Sequence, residues 1–471
     1  MQPPASAPTV AEMARILGSD DPRPVHFVGI AGAGMSALAE LLVRRGVTVT
    51  GCDASLAGVA DLERLGVELH QGHDPAHVGT SRALVVTSAV PKAHPELARA
   101  RELGLPVIRR AEALGAAVNF GRLVAVAGTH GKTTTTVMAT EALTAAGLNP
   151  TGVVGARVSL WSGNLRPGGD DVFVVEADEY DRSFLTLRPT VAVITNVEAD
   201  HLDIYKDLDD IRATFSLFTR AARYVVLCAD DAGAMSVPLP ASAEVVRYGL
   251  SSPDARLVAR DVRPASGALG SAFRVVLDGD DLGELTLRVP GDHNVRNALA
   301  AVGSGLALGA TLPQMRAGLA AAEGAERRFQ LLGDRRGVTV VDDYAHHPTE
   351  IDATLSAARA AFPGRRIVAA FQPHLYTRTR DFAVAFGRAL ASADVAFLAD
   401  IYPAREQPIA GVTSALIAAA ARSAGRAVKW EGPRSEMAAA LERAVQPGDV
   451  VITLGAGDIT MTGPELLDRL G

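Results

Sequence analysis

The chain has 471 residues, 48% of them hydrophobic and 21% charged, with a net charge of -7. That balance suits about three folded domains and excludes a disordered chain. With no dense Lys/Arg block it also excludes a large nucleic-acid surface, leaving room only for a local basic pocket that grips phosphate.

At the N-terminus, Met1-Gln2-Pro3-Pro4 has neither a basic stretch nor an apolar core, so no secretory signal is expected. The longest apolar runs, such as Leu84–Val86 and Leu123–Ala127, are too short to span a bilayer, and no membrane insertion is expected. Cys52 and Cys228 lack disulfide or metal-finger spacing and read as reduced thiols, which points to a cytoplasmic protein.

The first block runs to about residue 118. Strand Val25–Gly29 leads into a glycine turn, helix Met35–Arg45 follows, and strands Val47–Gly51 and Ala83–Thr87 come next. From Gly32 the turn satisfies G-x-G-x-x-A, with Ala33, Gly34, Met35, Ser36 and Ala37 completing it. Asp53 ends the next strand, about 20 residues on. Such a turn suits any diphosphate, from a nicotinamide cofactor to a UDP-sugar. A second phosphate loop further on implies a second substrate, which favours the UDP-sugar.

The second block covers residues 119–325. Strand Leu123–Ala127 is followed by Gly128-Thr129-His130-Gly131-Lys132-Thr133-Thr134, a shortened phosphate loop with Val126 where the full pattern has Gly. Its glycines let N–H groups turn toward an anion, and the helix N-terminus adds partial positive charge. Lys132 reaches the outer phosphates and Thr133 offers a hydroxyl to Mg²⁺. Lysine is scarce: only Lys92, Lys132, Lys206 and Lys429 occur. Strands Val172–Glu176 and Val191–Asn196 end in acidic clusters, with Glu176 and His201 as candidate metal ligands beyond the carboxyl ends of a parallel sheet. Strand Tyr224–Cys228 follows, and Asp254–Glu284 is punctuated by Gly and Asp as hairpins are.

The third block covers residues 326–471. Strands Val338–Val341, Arg366–Phe371, Val395–Ala399 and Asp449–Leu454 end in Asp342 to His347, Gln372 to Arg380, Asp400 to Glu406 through Arg405, and Gly455 to Asp458. Arginines there suit a substrate carboxylate. Adjacent residues on a strand point oppositely, so His346 and His347 are not expected to share a metal. The continuous apolar strands between helices predict an α/β fold of three domains. These are a Rossmann-like N-terminal domain, a central P-loop-type mononucleotide-binding domain and a C-terminal Rossmann-like α/β domain.

From His26 to Asp458 these motifs resemble the Mur ligase family, and within it the branch that adds L-alanine. The matching stretches are His26 to Ile30 with Met35-Ser36, Gly128 to Thr134, Glu176 to Leu185, and Thr195 to Tyr205. Gly291 to Ala298, Arg327-Arg328-Phe329, Asp342 to Glu350 and Phe371 to Asp381 follow in order.

The resemblance implies ATP-driven joining of L-alanine to UDP-N-acetylmuramate through an acyl phosphate, by a monomer or homodimer. It puts Gly128 to Thr134, Asn294, Asn297, Arg328 and Asp343 on ATP, with Asn294 and Asn297 at the adenine and Asp343 at the ribose. Thr133, Glu176 and His201 would hold Mg²⁺, or Mn²⁺ in its place. Gly32 to Ser36, Asp53, Ser88 and His374 would serve the substrates, Arg378 and Arg380 the alanine carboxylate, and His346 the incoming amine. Leu375 stands where many relatives carry arginine. No lysine matches the position that is carbamylated in several related ligases.

Overall fold

Runs of four to six apolar residues, too short for helices, become buried parallel strands, among them Val191–Ile194 and Ile367–Phe371. The computed structural model describes residues 10–201, 204–266, 269–404 and 406–471. Leu202, Asp203 and Arg405, quoted above within motifs, lie outside the described residues. Two compact units result. The first runs to Asp261 and takes in Phe273–Leu285 and Arg296–Gly324; the second comprises Val262–Ala272, Thr286–Val295 and Ala325–Gly471.

The first unit starts with β1 (Val25–Val28), β2 (Val49–Asp53), β3 (Glu68–Gln71), β4 (Ala83–Val86) and β5 (Val107–Arg109), in the sheet order β3-β2-β1-β4-β5. All pairings are parallel. β1 sits centrally, so the glycine turn after Val28 opens at the middle of the carboxyl edge, where the strand order reverses.

The next sheet contains β6 (Arg122–Ala127), β7 (Thr151–Val158), β8 (Gly163–Arg166), β9 (Val172–Glu176), β10 (Val191–Ile194), β11 (Tyr224–Cys228) and β12 (Glu244–Gly249). β13 (Leu257–Pro264), β14 (Ser271–Leu277) and β15 (Asp280–Leu287) extend it as consecutive neighbours, as the Gly/Asp punctuation predicts. β6 lies between β9 and β10, with Val126 opposite Glu176 and Ala127 opposite Ile194. That register puts the loop after Ala127 between the ends of two strands, one delivering Glu176 and the other Thr195-Asn196.

Helix Lys132–Ala145 then carries Thr133 to Thr136 and Thr140 inside the protein. β-Branched residues are poor helix formers. Three hydroxyls of this helix bond within it: Thr136, Thr140 and Thr144 each donate to the carbonyl four residues back, at 2.7–2.8 Å.

The second unit holds β16 (Gln330–Arg335), β17 (Val338–Asp343), β18 (Ile367–Phe371), β19 (Val395–Ala399), β20 (Val428–Gly432) and β21 (Val450–Leu454), in the order β16-β17-β21-β18-β19-β20. Only β16 runs antiparallel to its neighbour among these pairings. Leu454 pairs with Asp343 on one side and Phe371 on the other, which gathers three polar strand ends. No helix among the described residues is long and apolar enough to cross a membrane.

Candidate active site

The loop after β6 tolerates no side chain at its two glycines. Gly128 has φ +140°, and a Cβ there would lie 2.0 Å from Thr195 Oγ1. Gly131 has φ +81°, and its Cβ would lie 2.6 Å from Asn297 Oδ1. The strand end of β10 holds the loop in shape. His130 N–H donates to Asn196 Oδ1 at 2.7 Å, and Thr129 N–H to Asn196 O at 3.1 Å. Thr195 Oγ1 donates to His130 O at 2.6 Å, and Glu198 N–H to Thr129 Oγ1 at 2.9 Å. Helix Lys132–Ala145 begins at Gly131 with no side-chain cap, so its first N–H groups face outward as an anion cradle.

Lys132 folds back over this cradle. Its Nζ donates to Gly128 O at 2.6 Å and Thr129 O at 3.1 Å, and sits 2.8 Å from Glu179 Oε2. Burial pulls the ammonium down, but the carboxylates of Glu179, Asp178 and Glu176 outweigh it and hold its pKa above the ordinary lysine value. Burial pushes the Glu179 carboxyl up, against the pull of Lys132. His201 Nε2 lies 3.7 Å from Glu179 Oε1, and Tyr205 donates to Glu179 O at 2.6 Å. Thr133 Oγ1 donates to Glu176 Oε1 at 3.0 Å, while Glu176 Oε2 accepts from Gly155 N–H at 2.8 Å. Lys132 and His201 thus meet through Glu179, and Thr133 meets Glu176. The hydroxyl and carboxylate, side by side, fit a hard divalent cation.

The first glycine turn borders a cavity of about 410 Å³ lined by Gly32, Ala33, Gly34, Met35 and Asp53. Asp53 Oδ2 accepts from Ala31 N–H at 3.0 Å and braces the turn. Asn164 of β8 donates to Ala33 O at 3.2 Å. Ser36 and Ser88 are not among the lining residues: Ser36 Oγ donates to Ala33 O at 3.0 Å, and Ser88 is exposed beyond β4. A cation does line the cavity. Arg110 starts helix Arg110–Val118, and a Cβ on Gly34 would lie 3.1 Å from its Nη1.

In the second unit Asp343 accepts from Phe329 N–H at 2.7 Å and Ala345 N–H at 2.8 Å. Burial raises its carboxyl to about 6, opposed by Arg328. Arg328 also reaches Glu350 at 3.7 Å. Asn294 Nδ2 donates to Pro290 O at 2.8 Å.

His346 and His347 follow β17 rather than lying on it, and His347 is the N-cap of helix Pro348–Ala361. Strand alternation therefore does not govern them. Glu350 accepts from both their N–H groups, at 2.9 and 3.2 Å. The rings of His346 and His374 are 6.1 Å apart. Arg378 and Arg380 lie on helix Tyr376–Leu390, and two residues turn about 200° there. Arg378 is buried, while Arg380 is exposed and pairs with Asp381 at 2.7 Å, so the helix does not bring them together.

Three family models cover almost all of this chain. They are "Mur ligase family, catalytic domain" over residues 24–122, "Mur ligase middle domain" over 126–305, and "Mur ligase, glutamate ligase domain" over 327–457.

The chain belongs to the Mur ligase family.

Among its relatives, the UDP-N-acetylmuramate–L-alanine ligase of Salinibacter ruber is 45% identical over 454 residues, 95% of each chain. The ligase of the same name from Kineococcus radiotolerans is 48% identical, covering 95% of this chain and 96% of its own. Among solved structures, the UDP-N-acetylmuramate-alanine ligase MurC of Thermotoga maritima matches with TM-score 0.80 at 28% identity, over 95% of this chain and 99% of that one. A murein peptide ligase of Psychrobacter arcticus matches with TM-score 0.69 at 25% identity, over 95% and 99%.

Within this Mur ligase, sequence reasoning misses Glu179, Asn196 and Arg110. Glu179 lies inside an acidic cluster whose members the sequence does not rank. Asn196 acts on the loop from a different strand. Arg110 has a weak signal, as the second of two arginines at the end of a strand.

Proposed function

We propose that this chain joins L-alanine to the lactyl carboxylate of UDP-N-acetylmuramate and converts ATP to ADP and phosphate. Residues 1–118 take the UDP-sugar, 119–325 take ATP, and 326–471 take the amino acid. The observation that carries the reading is the glycine-edged cradle with Lys132 folded over it, because it matches a chain of phosphates in shape and charge. The names of the relatives, UDP-N-acetylmuramate–L-alanine ligases, support the choice of substrates.

The loop N–H groups and Lys132 bind the outer phosphates, and Lys132 exchanges Glu179 for them. Thr133, Glu176 and His201 would hold Mg²⁺ or Mn²⁺, which would supply charge neutralisation for phosphoryl transfer. A carboxylate oxygen of the muramyl group bonds to the γ-phosphorus as the bond to ADP breaks. The amine of alanine then attacks the acyl carbon, phosphate leaves, and the amine loses a proton. Tyr344 O, 3.0 Å from His346 Nδ1, can only accept, so Nδ1 carries the hydrogen and Nε2 is the basic nitrogen suited to that proton. Arg378 takes the alanine carboxylate. Arg110 faces the UDP diphosphate in the cavity beside the first glycine turn.

The test is a phosphate-release assay with ATP, Mg²⁺, UDP-N-acetylmuramate and a panel of amino acids. Release with L-alanine that depends on the UDP-sugar is expected. No release with L-alanine contradicts the reading.

A further inference from the structure

Five of the eleven histidines, His26, His70, His73, His77 and His94, fall in the first block, away from the ATP cradle. Strand register explains why they meet. His26 pairs with Thr50 and Cys52 with His70, so alternation puts His26, Thr50, Cys52 and His70 on one face of the first sheet. The 3₁₀ turn Pro75–Val78 adds His77 over that face, and helix Pro95–Glu102 adds Glu96.

Glu96 is fully buried. Its Oε2 lies 3.0 Å from Cys52 Sγ, and its Oε1 lies 2.9 Å from His77 Nδ1 and 4.0 Å from His26 Nε2. The donor atoms of His26, Cys52, His77 and Glu96 all fall within 4.8 Å of one another. His26 is fully buried, yet its Nε2 has no hydrogen-bond partner. A buried, unpaired ring nitrogen turned toward a thiol and a carboxylate is costly unless something occupies the space between them.

We infer that His26, Cys52, His77 and Glu96 form a four-ligand site for a divalent transition metal of the Zn²⁺ class. Tetrahedral zinc with bonds of roughly 2.0–2.3 Å spaces its ligand atoms roughly 3.3–3.8 Å apart. The separations above bracket that range. Two imidazoles, one thiolate and one carboxylate suit zinc and disfavour Mg²⁺. The two anionic ligands neutralise a dication, so the buried assembly carries no net charge.

Thr50 supplies the outer contact that such a histidine needs. Its Oγ1 lies 2.8 Å from His26 Nδ1, and as acceptor from Nδ1–H it leaves the Nε2 lone pair for the metal. Binding releases the Cys52 thiol proton to solvent, and Glu96 exchanges the S–H for the ion. His73 and His94, 3.7 and 3.9 Å from Glu96 Oε2, line the cavity beside the first glycine turn.

The experiment is Co²⁺ titration of the full-length, metal-free protein in excess Mg²⁺, followed by absorption. One Co²⁺ per chain is expected, with a thiolate-to-cobalt charge-transfer band and the strong visible bands of tetrahedral cobalt, both displaced by Zn²⁺. Cys52→Ser removes the charge-transfer band and Cys228→Ser leaves it. Thr50→Val weakens binding by about 10- to 100-fold. The Mg²⁺ residues proposed at the ATP cradle include no thiol, so they do not produce this band. Absence of the band in the wild-type protein overturns the inference, as does its full retention in folded Cys52→Ser.

Discussion

Lys132 and Glu179 form a buried ion pair, Nζ to Oε2 2.8 Å, joining the loop after β6 to the turn after β9. The pair holds the lysine over the cradle while no phosphate competes for it. Neutralising one partner of a buried pair leaves the other uncompensated, at a cost of about 3 kcal/mol. Glu179→Gln is therefore expected to lower stability by about that amount. ATP restores the lost charge partner, so the rise in melting temperature on adding ATP is larger in Glu179→Gln than in the wild type. Equal ATP-induced shifts contradict this.

Gly128→Ala tests the cradle's shape. Its Cβ would collide with Thr195 Oγ1 at 2.0 Å, on a backbone at φ +140°. The loop must move, and ATP affinity by calorimetry should fall at least about 100-fold, since misplacement by about 1 Å is enough for such losses. Affinity within threefold of wild type contradicts the geometry.

The two arginines of helix Tyr376–Leu390 should differ in kinetics. Arg378 is buried, whereas Arg380 is exposed and already paired with Asp381. Arg378→Ala is expected to raise the KM for L-alanine about 100-fold, consistent with loss of a charged contact worth about 2–3 kcal/mol. Arg380→Ala should change it less than about threefold. Equal effects would sink the distinction.

Asp343 gives a pH test in the second unit. Its folded pKa of about 6 lies above the ordinary aspartate value of 3.8, so the fold binds its proton more tightly than the unfolded chain does. The stability from this group is present below pH 4, is lost as pH rises toward 6, and stays lost above it. The size is about 3 kcal/mol, from about two units of pKa. Asp343→Asn cannot ionise. The wild-type advantage over it, measured by urea unfolding, should shrink by about that amount between pH 4 and pH 7. An advantage that does not change with pH contradicts the assignment.

The sequence exposes the site where a run of residues carries the signal by itself. β9, β11 and β19 fall where the apolar runs put them, because strands buried on both faces need no alternation. β20 alternates between half-buried and exposed positions at the sheet edge, and β8 is only four residues long, so neither gives a strong pattern. The cradle is legible because Gly128, Gly131, Lys132 and Thr133 are close in sequence. Asn196, Glu179 and the Cys52–Glu96 contact are not, because each depends on strand register or on a turn that brings distant residues together. The spacing His70, His73, His77 was the available hint, and it shows its use only once β3 is paired with β2.

The most direct measurement is peptide-bond synthesis by Lys132→Ala, with circular dichroism confirming the fold. Formation of the alanyl product from UDP-N-acetylmuramate, L-alanine and ATP should fall at least about 1000-fold, because the side-chain cation folded over the loop is gone. Product formation at the wild-type rate in the folded variant would contradict the account.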